Sequence, residues 1–154
     1  MSAQATIVVG VDGSDCSRSA LNFAFDEAVR RDATLRVVAA LPEVDYWATA
    51  YGMSPSLLDE IAADMEKTAR AVVDDVVRER GGALVDVPVE VRVVPGAAGD
   101  VLVDQARDAD LLVVGHRGRG GFRSTVLGSV GLACVLHATV PVTVVRPHDD
   151  AADH

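Results

Sequence analysis

Between Leu111 and His148 the sequence has no acidic residue, although the 154-residue chain holds 23 Asp and Glu. Four arginines fall in that window (Arg117, Arg119, Arg123 and Arg146), so a cationic island lies in a chain of net charge −9. An acidic chain argues against non-specific binding to nucleic acid or to anionic membranes, both of which need a basic face. Cysteine is nearly absent. Cys16 and Cys134 are isolated, with no CxxC spacing, which points to reduced thiols and a cytoplasmic setting. No apolar run approaches the roughly 18 residues of a membrane span. The start, Met1-Ser2-Ala3-Gln4, lacks the basic and apolar regions of a signal peptide. Aromatics make up 4%, and Tyr46, Trp47 and Tyr51 crowd into one loop. They cover a ligand or partner there, or pack on a sheet edge.

Apolar residues at 49% with 24% charged describe an ordinary globular mix, and the length suits one domain over residues 1–148 with a disordered tail at 149–154. Residues 5–12 form a β-branched run apolar on both faces, as in a central parallel strand. Gly13-Ser14 breaks it, and Ser14 or Asp15 caps a helix to about Arg31. Residues 34–41 read as a second strand ended by Pro42. Ser54-Pro55 starts a long helix, and Gly81-Gly82 stops it. Residues 87–94 alternate and include a proline, as an edge strand does. A short helix near residues 98–107, a buried strand at 109–115, a helix from Ser129 to about His137 and a last strand at 140–146 complete the chain. This alternation predicts a doubly wound α/β sheet, with helices on both faces and no second domain.

The segment from Val113 to Val130 is the most informative. It leaves a strand, passes a glycine-rich arginine loop, and enters a helix at Gly128-Ser129. Glycine lets backbone N–H groups approach a ligand, and a helix start adds free N–H donors and partial positive charge. Together these point to an anion, and the glycine spacing to a phosphate. The loop lacks the Lys-Ser/Thr of a P-loop, and no GxGxxG follows the first strand. There is no GxSxG elbow. The four histidines show no ligand spacing with cysteine, so no zinc site is indicated. His116 either bonds a phosphate or is a solvated loop histidine. Cys134 reads as a core residue. Cys16, at a helix start, is an activated thiol or an inert one.

Gly115-x2-Gly118-x9-Gly128-Ser129, between a Val-Val-Gly strand end and Pro141-Val142-Thr143-Val144-Val145, resembles the nucleotide-binding signature of the universal stress protein family. Val9-Gly10-Val11-Asp12-Gly13-Ser14-x2-Ser17 is similar to that family's first strand and turn. The resemblance covers essentially the whole chain. It implies a Rossmann-like, five-stranded parallel sheet of order 3-2-1-4-5, and the family's ATP-binding branch. By position it implies Asp12 at the nucleotide, the backbone near Ala40 at the adenine, and Val114 and Gly115 at the ribose. Gly118, Gly128, Ser129 and Val130 would hold the phosphates, with Arg117 or Arg119 nearby. The implied ligand is ATP or another adenine nucleotide, with or without magnesium. Asp12 would face a nucleotide-borne magnesium, accept from ribose hydroxyls, or bond its own turn. Family members commonly pair as homodimers through the last strand, here residues 141–146, whose β-branched edge invites pairing.

The sequence departs from the family pattern at Gly131, where a hydroxyl residue is usual, and at Leu132-Ala133, where polar residues are usual. Gly131 should weaken the helix start by about 1 kcal/mol against alanine. The functional reading is an ATP-binding stress or signalling protein acting as a homodimer. The alternatives are a slow ATPase or phosphoryl-transfer enzyme, and a module that binds cyclic AMP or a protein. For an enzyme, Asp12 and His116 are the only evident general bases.

Overall fold

The β-branched runs at β1 (Thr6–Gly10), β2 (Thr34–Leu41) and β4 (Leu111–Gly115) become strands because the sheet buries both of their faces. The computed structural model describes residues 3–43, 50, 52, 54–84, 86–117 and 127–147. The aromatic loop with Tyr46, Trp47 and Tyr51, the glycine loop with Gly118, Arg119 and Arg123, and the tail at 149–154 lie outside the described residues. The elements run β1 (Thr6–Gly10), α1 (Asp15–Arg31), β2 (Thr34–Leu41), α2 (Pro55–Glu79), β3 (Val89–Pro95), α3 (Ala98–Gln105), β4 (Leu111–Gly115), α4 (Ser129–His137) and β5 (Val142–Val145). The strands form one sheet of order β3-β2-β1-β4-β5, and every pairing is parallel. This is the expected fold.

Strand periodicity divides the core. Ile7, Val9, Leu35, Val37, Leu111 and Val113 point to one face, where they meet Leu21, Ala24 and Phe25 of α1 and Val73 and Val76 of α2. Val8, Val38, Leu112 and Val114 point to the other, against Val101 and Leu102 of α3 and Cys134 of α4.

The punctuation follows the sequence. The Ser14 side chain accepts from Ser17 N–H and caps α1. The Ser54 side chain accepts from Leu57 N–H ahead of Pro55. Gly81 and Gly82 both take positive φ after α2, at 62° and 85°. The first, fourth and fifth strands are shorter than expected, whereas the second matches and the third runs one residue further, to Pro95. β4 begins at Leu111 because Ala109 N–H turns back to Ala106 C=O. Asp110 instead brackets Thr6: its N–H donates to Thr6 C=O, and its carboxylate accepts from Thr6 N–H. Arg36 is a cation inside the buried β2. It donates to Asp108 at 2.9 Å and to Gln105 C=O at 2.8 Å, and pairs with Glu90.

Candidate functional site

β1 and β4 lie side by side, yet their connections leave in opposite directions. From β1 the chain crosses through α1 to β2. From β4 it crosses through α4 to β5. In an open α/β sheet this divergence opens a crevice at the carboxyl ends of the two strands, where ligands bind. Asp12 follows β1 at that end, and Gly115 closes β4. Ala40 pairs with Val94 near the same end of β2.

The turn after β1 is tied together by its own polar groups. Val11 N–H donates to Val38 C=O. The Asp12 carboxylate accepts from Ser14 N–H at 2.9 Å, and Asp12 N–H donates to the Ser17 hydroxyl. That hydroxyl in turn donates to Ser14 C=O. Asp12 therefore bonds its own turn, one of the three expected roles, while its side chain stays on the exposed rim.

Gly115 is the hub. A Cβ built on it would lie 2.8 Å from both the carbonyl carbon and oxygen of Cys16, in the first turn of α1. On the other side, a Cβ on Gly131 of α4 would come within 3.7 Å of Gly115 C=O. Gly128 N–H donates to His116 C=O at 2.6 Å. The N-termini of α1 and α4 thus converge on one strand end, and their positive ends sum there. Gly128 caps α4 with extended backbone, φ −73° and ψ 167°. Its N–H is already engaged, and the helix-start N–H groups after it are those of Ser129, Val130 and Gly131, which lack an intrahelical partner. Val114 is buried, so only its backbone is available at the rim.

His116 differs from both expectations for it. It is not solvated, being 3% exposed. Both ring nitrogens are engaged within the protein: Nδ1 lies 3.6 Å from Cys16 Sγ, and Nε2 accepts from Arg117 Nε at 2.9 Å. Burial, with the charges of Arg117 and Arg146, holds its pKa below the ordinary imidazole value. It is a buried, neutral residue held between Cys16 and Arg117.

The structure places Asp12, Ala40, Val114, Gly115, Arg117, Gly128, Ser129 and Val130 along one rim. Gly118 and Arg119 lie outside the described residues. The contact between Cys16 and His116 was not legible in the sequence, where 100 positions separate them. Ser17, which ties the Asp12 turn, carried only its place in the motif as a signal. Among the described residues no group of three His, Cys, Asp or Glu can hold a metal ion, and no helix is long and apolar enough to cross a membrane.

The model of the universal stress protein family matches residues 5–146. The chain belongs to the universal stress protein family. A universal stress protein of Mycolicibacterium smegmatis is 35% identical over 141 residues, which is 92% of this chain and 45% of that protein. The chain thus spans about half the length of the curated relatives it matches. Among solved structures, a universal stress protein in complex with cAMP is 31% identical at TM-score 0.61, covering 94% of this chain and 98% of that one. The universal stress protein of Archaeoglobus fulgidus in complex with dAMP is 25% identical at TM-score 0.61, with coverage of 94% and 98%. In this universal stress protein Gly131 is closely packed, since a Cβ there would meet the movable tip of Leu127, Cδ1, at 2.8 Å. Ala133 meets Gly99 of α3, whereas Leu132 is exposed.

Proposed function

We propose that this protein binds an adenine nucleotide, ATP in the first instance, at the carboxyl end of β1 and β4, and acts as a homodimeric stress or signalling protein. The observation that carries the reading is the convergence of two helix N-termini on Gly115, beside the Asp12 turn. Two positive helix ends and a side-chain-free strand end suit a phosphorylated ligand. The relatives solved with cAMP and with dAMP support the adenine. In this reading Ala40 backbone meets the base, Val114 and Gly115 border the ribose, and Gly118, Ser129 and Val130 bind phosphates through backbone N–H. Arg117 and Arg119 add charge. Gly128 shapes the helix start rather than donating. Magnesium would arrive with the phosphates, and Asp12 is the carboxylate assigned to it in this reading.

The test is calorimetric titration of the full chain with ATP, ADP, AMP and cAMP, with and without magnesium. Binding to at least one of them is expected. It should be lost in Gly118→Ala and Gly128→Val with the fold retained. No binding to any of the four, or unchanged affinity in both variants, overturns the assignment. Turnover is not expected, because His116 has both nitrogens engaged and Asp12 is tied to its turn.

For the partner we propose a second copy along strand 141–146. Among the described residues β5 pairs only with β4. Beside it α4 exposes Leu132, Val135 and Leu136 at 48%, 51% and 65%, a spacing that lines one helix face.

A further inference from the structure

Cys16 and His116 form a contact between a thiol and an imidazole whose ring is oriented by a third group, Arg117. Arg117 Nε–H donates to His116 Nε2, so that nitrogen must present its lone pair. In the neutral ring the proton then sits on Nδ1, which faces Cys16 Sγ at 3.6 Å. Nδ1–H is therefore aimed at the sulfur as a donor. A second proton on the ring would put Nε2–H against Arg117 Nε–H, which favours the neutral form, as burial also does. Cys16 lies in the first turn of α1, against Gly115 at the end of β4. The thiol is half-buried rather than sealed.

The second cysteine is an internal contrast. Cys134 is fully buried in the apolar layer under α4, and burial pushes its thiol up to about 11.

We propose that Cys16 is a modification site, a thiol held ready by His116 and Arg117 for two-electron oxidation by hydroperoxides. The thiol first gives its proton to solvent. The thiolate electron pair then attacks one peroxide oxygen, an S–O bond forms and the O–O bond breaks. Hydroxide leaves and takes a proton from solvent to become water. Sulfur is oxidised by two electrons to sulfenic acid, and the peroxide is reduced. Nδ1–H of His116 steadies the sulfur charge up to attack. This inference does not depend on what occupies the neighbouring crevice.

The experiment treats the full-length chain with hydrogen peroxide near neutral pH, traps sulfenic acid with dimedone and quantifies each cysteine peptide by mass spectrometry. Glutathione under the same conditions is the reference. Selectivity for Cys16 over Cys134 follows from burial alone, so the comparison with glutathione and the variants decides. Cys16 should react severalfold faster than glutathione, and His116→Phe should bring it down to the glutathione rate. If His116→Phe does not fold, Arg117→Met, which removes the group that fixes the tautomer, should slow Cys16 severalfold. A wild-type rate at or below that of glutathione overturns the proposal. So does an unchanged rate in a folded His116→Phe or, if that variant does not fold, in Arg117→Met.

Discussion

Gly115 lies so close to Cys16 that a Cβ on it would stand 2.8 Å from the Cys16 carbonyl carbon and oxygen. Backbone cannot swing aside as a side-chain tip can. Gly115→Ala should therefore push α1 away from β4, with a loss of about 1–3 kcal/mol, typical of overpacking. Gly10→Ala is the control: its Cβ would meet the tip of Leu102 at 2.7 Å, and that side chain can rotate. Urea denaturation of both variants should find Gly115→Ala the less stable. The opposite order would mean the strand end is not pinned against α1.

The buried His116 should make stability depend on mild acid. Its folded pKa is lowered, so between about pH 6.5, the ordinary imidazole value, and the lower folded value the unfolded chain binds more protons. Stability is then full above about pH 6.5 and falls as pH drops toward the folded value. Urea midpoints between about pH 7 and 5 should decline in the wild type and flatten in His116→Gln. A ring titration at the ordinary value or above, followed by NMR, would contradict this.

Arg36 gives a second dependence, at lower pH. Its hydrogen bond holds the Asp108 carboxyl below the usual carboxylate range. The associated stability is present above the unfolded carboxylate value and is lost as pH falls through the lower folded one. Asp108 is 73% exposed, so solvent screening keeps this effect small. Arg36→Ala should cost more, about 1–3 kcal/mol, because it removes charged hydrogen bonds from a buried group. Thermal melts of Arg36→Ala and Asp108→Asn should rank them in that order.

At Gly131 two effects oppose each other. Alanine would gain about 1 kcal/mol in helix propensity but would press on Leu127 Cδ1 at 2.8 Å. The tip of Leu127 is movable, so Gly131→Ala should change stability by less than about 1 kcal/mol. A loss well beyond that, seen in urea melts, would show Leu127 to be fixed.

The proposed homodimer predicts a clean phenotype. Val135→Lys with Leu136→Lys alters residues that are 51% and 65% exposed, so the fold should persist. Sedimentation should shift from dimer toward monomer. A wild type that sediments as a monomer at micromolar concentration removes the need for this interface.

The layers were legible because their cause is local. Ile7 and Val9 alternate with Val8 across two buried faces, and Ser54-Pro55 and Gly81-Gly82 punctuate a helix by their own backbone chemistry. The turn after β1 was legible too, since Asp12 and Ser14 bond backbone N–H groups only two and three residues on. What was hidden depends on neighbours distant in sequence. His116 is buried and neutral because α1 brings Cys16 against it and the chain after β5 brings Arg146 near it. Gly131 reads as a weak helix start until Leu127 and Gly115 are seen against it. Arg36 sits in a run that otherwise reads as pure core, and its partners Glu90 and Asp108 come from β3 and from the turn after α3.

The bond from Gly128 N–H to His116 C=O bears on how this chain can diverge. It fastens the two ends of the segment 117–127 to each other, so strand and helix are joined whatever lies between. Doubling the length of such a closed segment changes its closure cost by only about 0.6 kcal/mol. Insertions and charge changes can therefore accumulate there while the sheet keeps its register. Under the proposed function, ligand preference becomes a property of an exchangeable cassette, selectable apart from the fold that carries it.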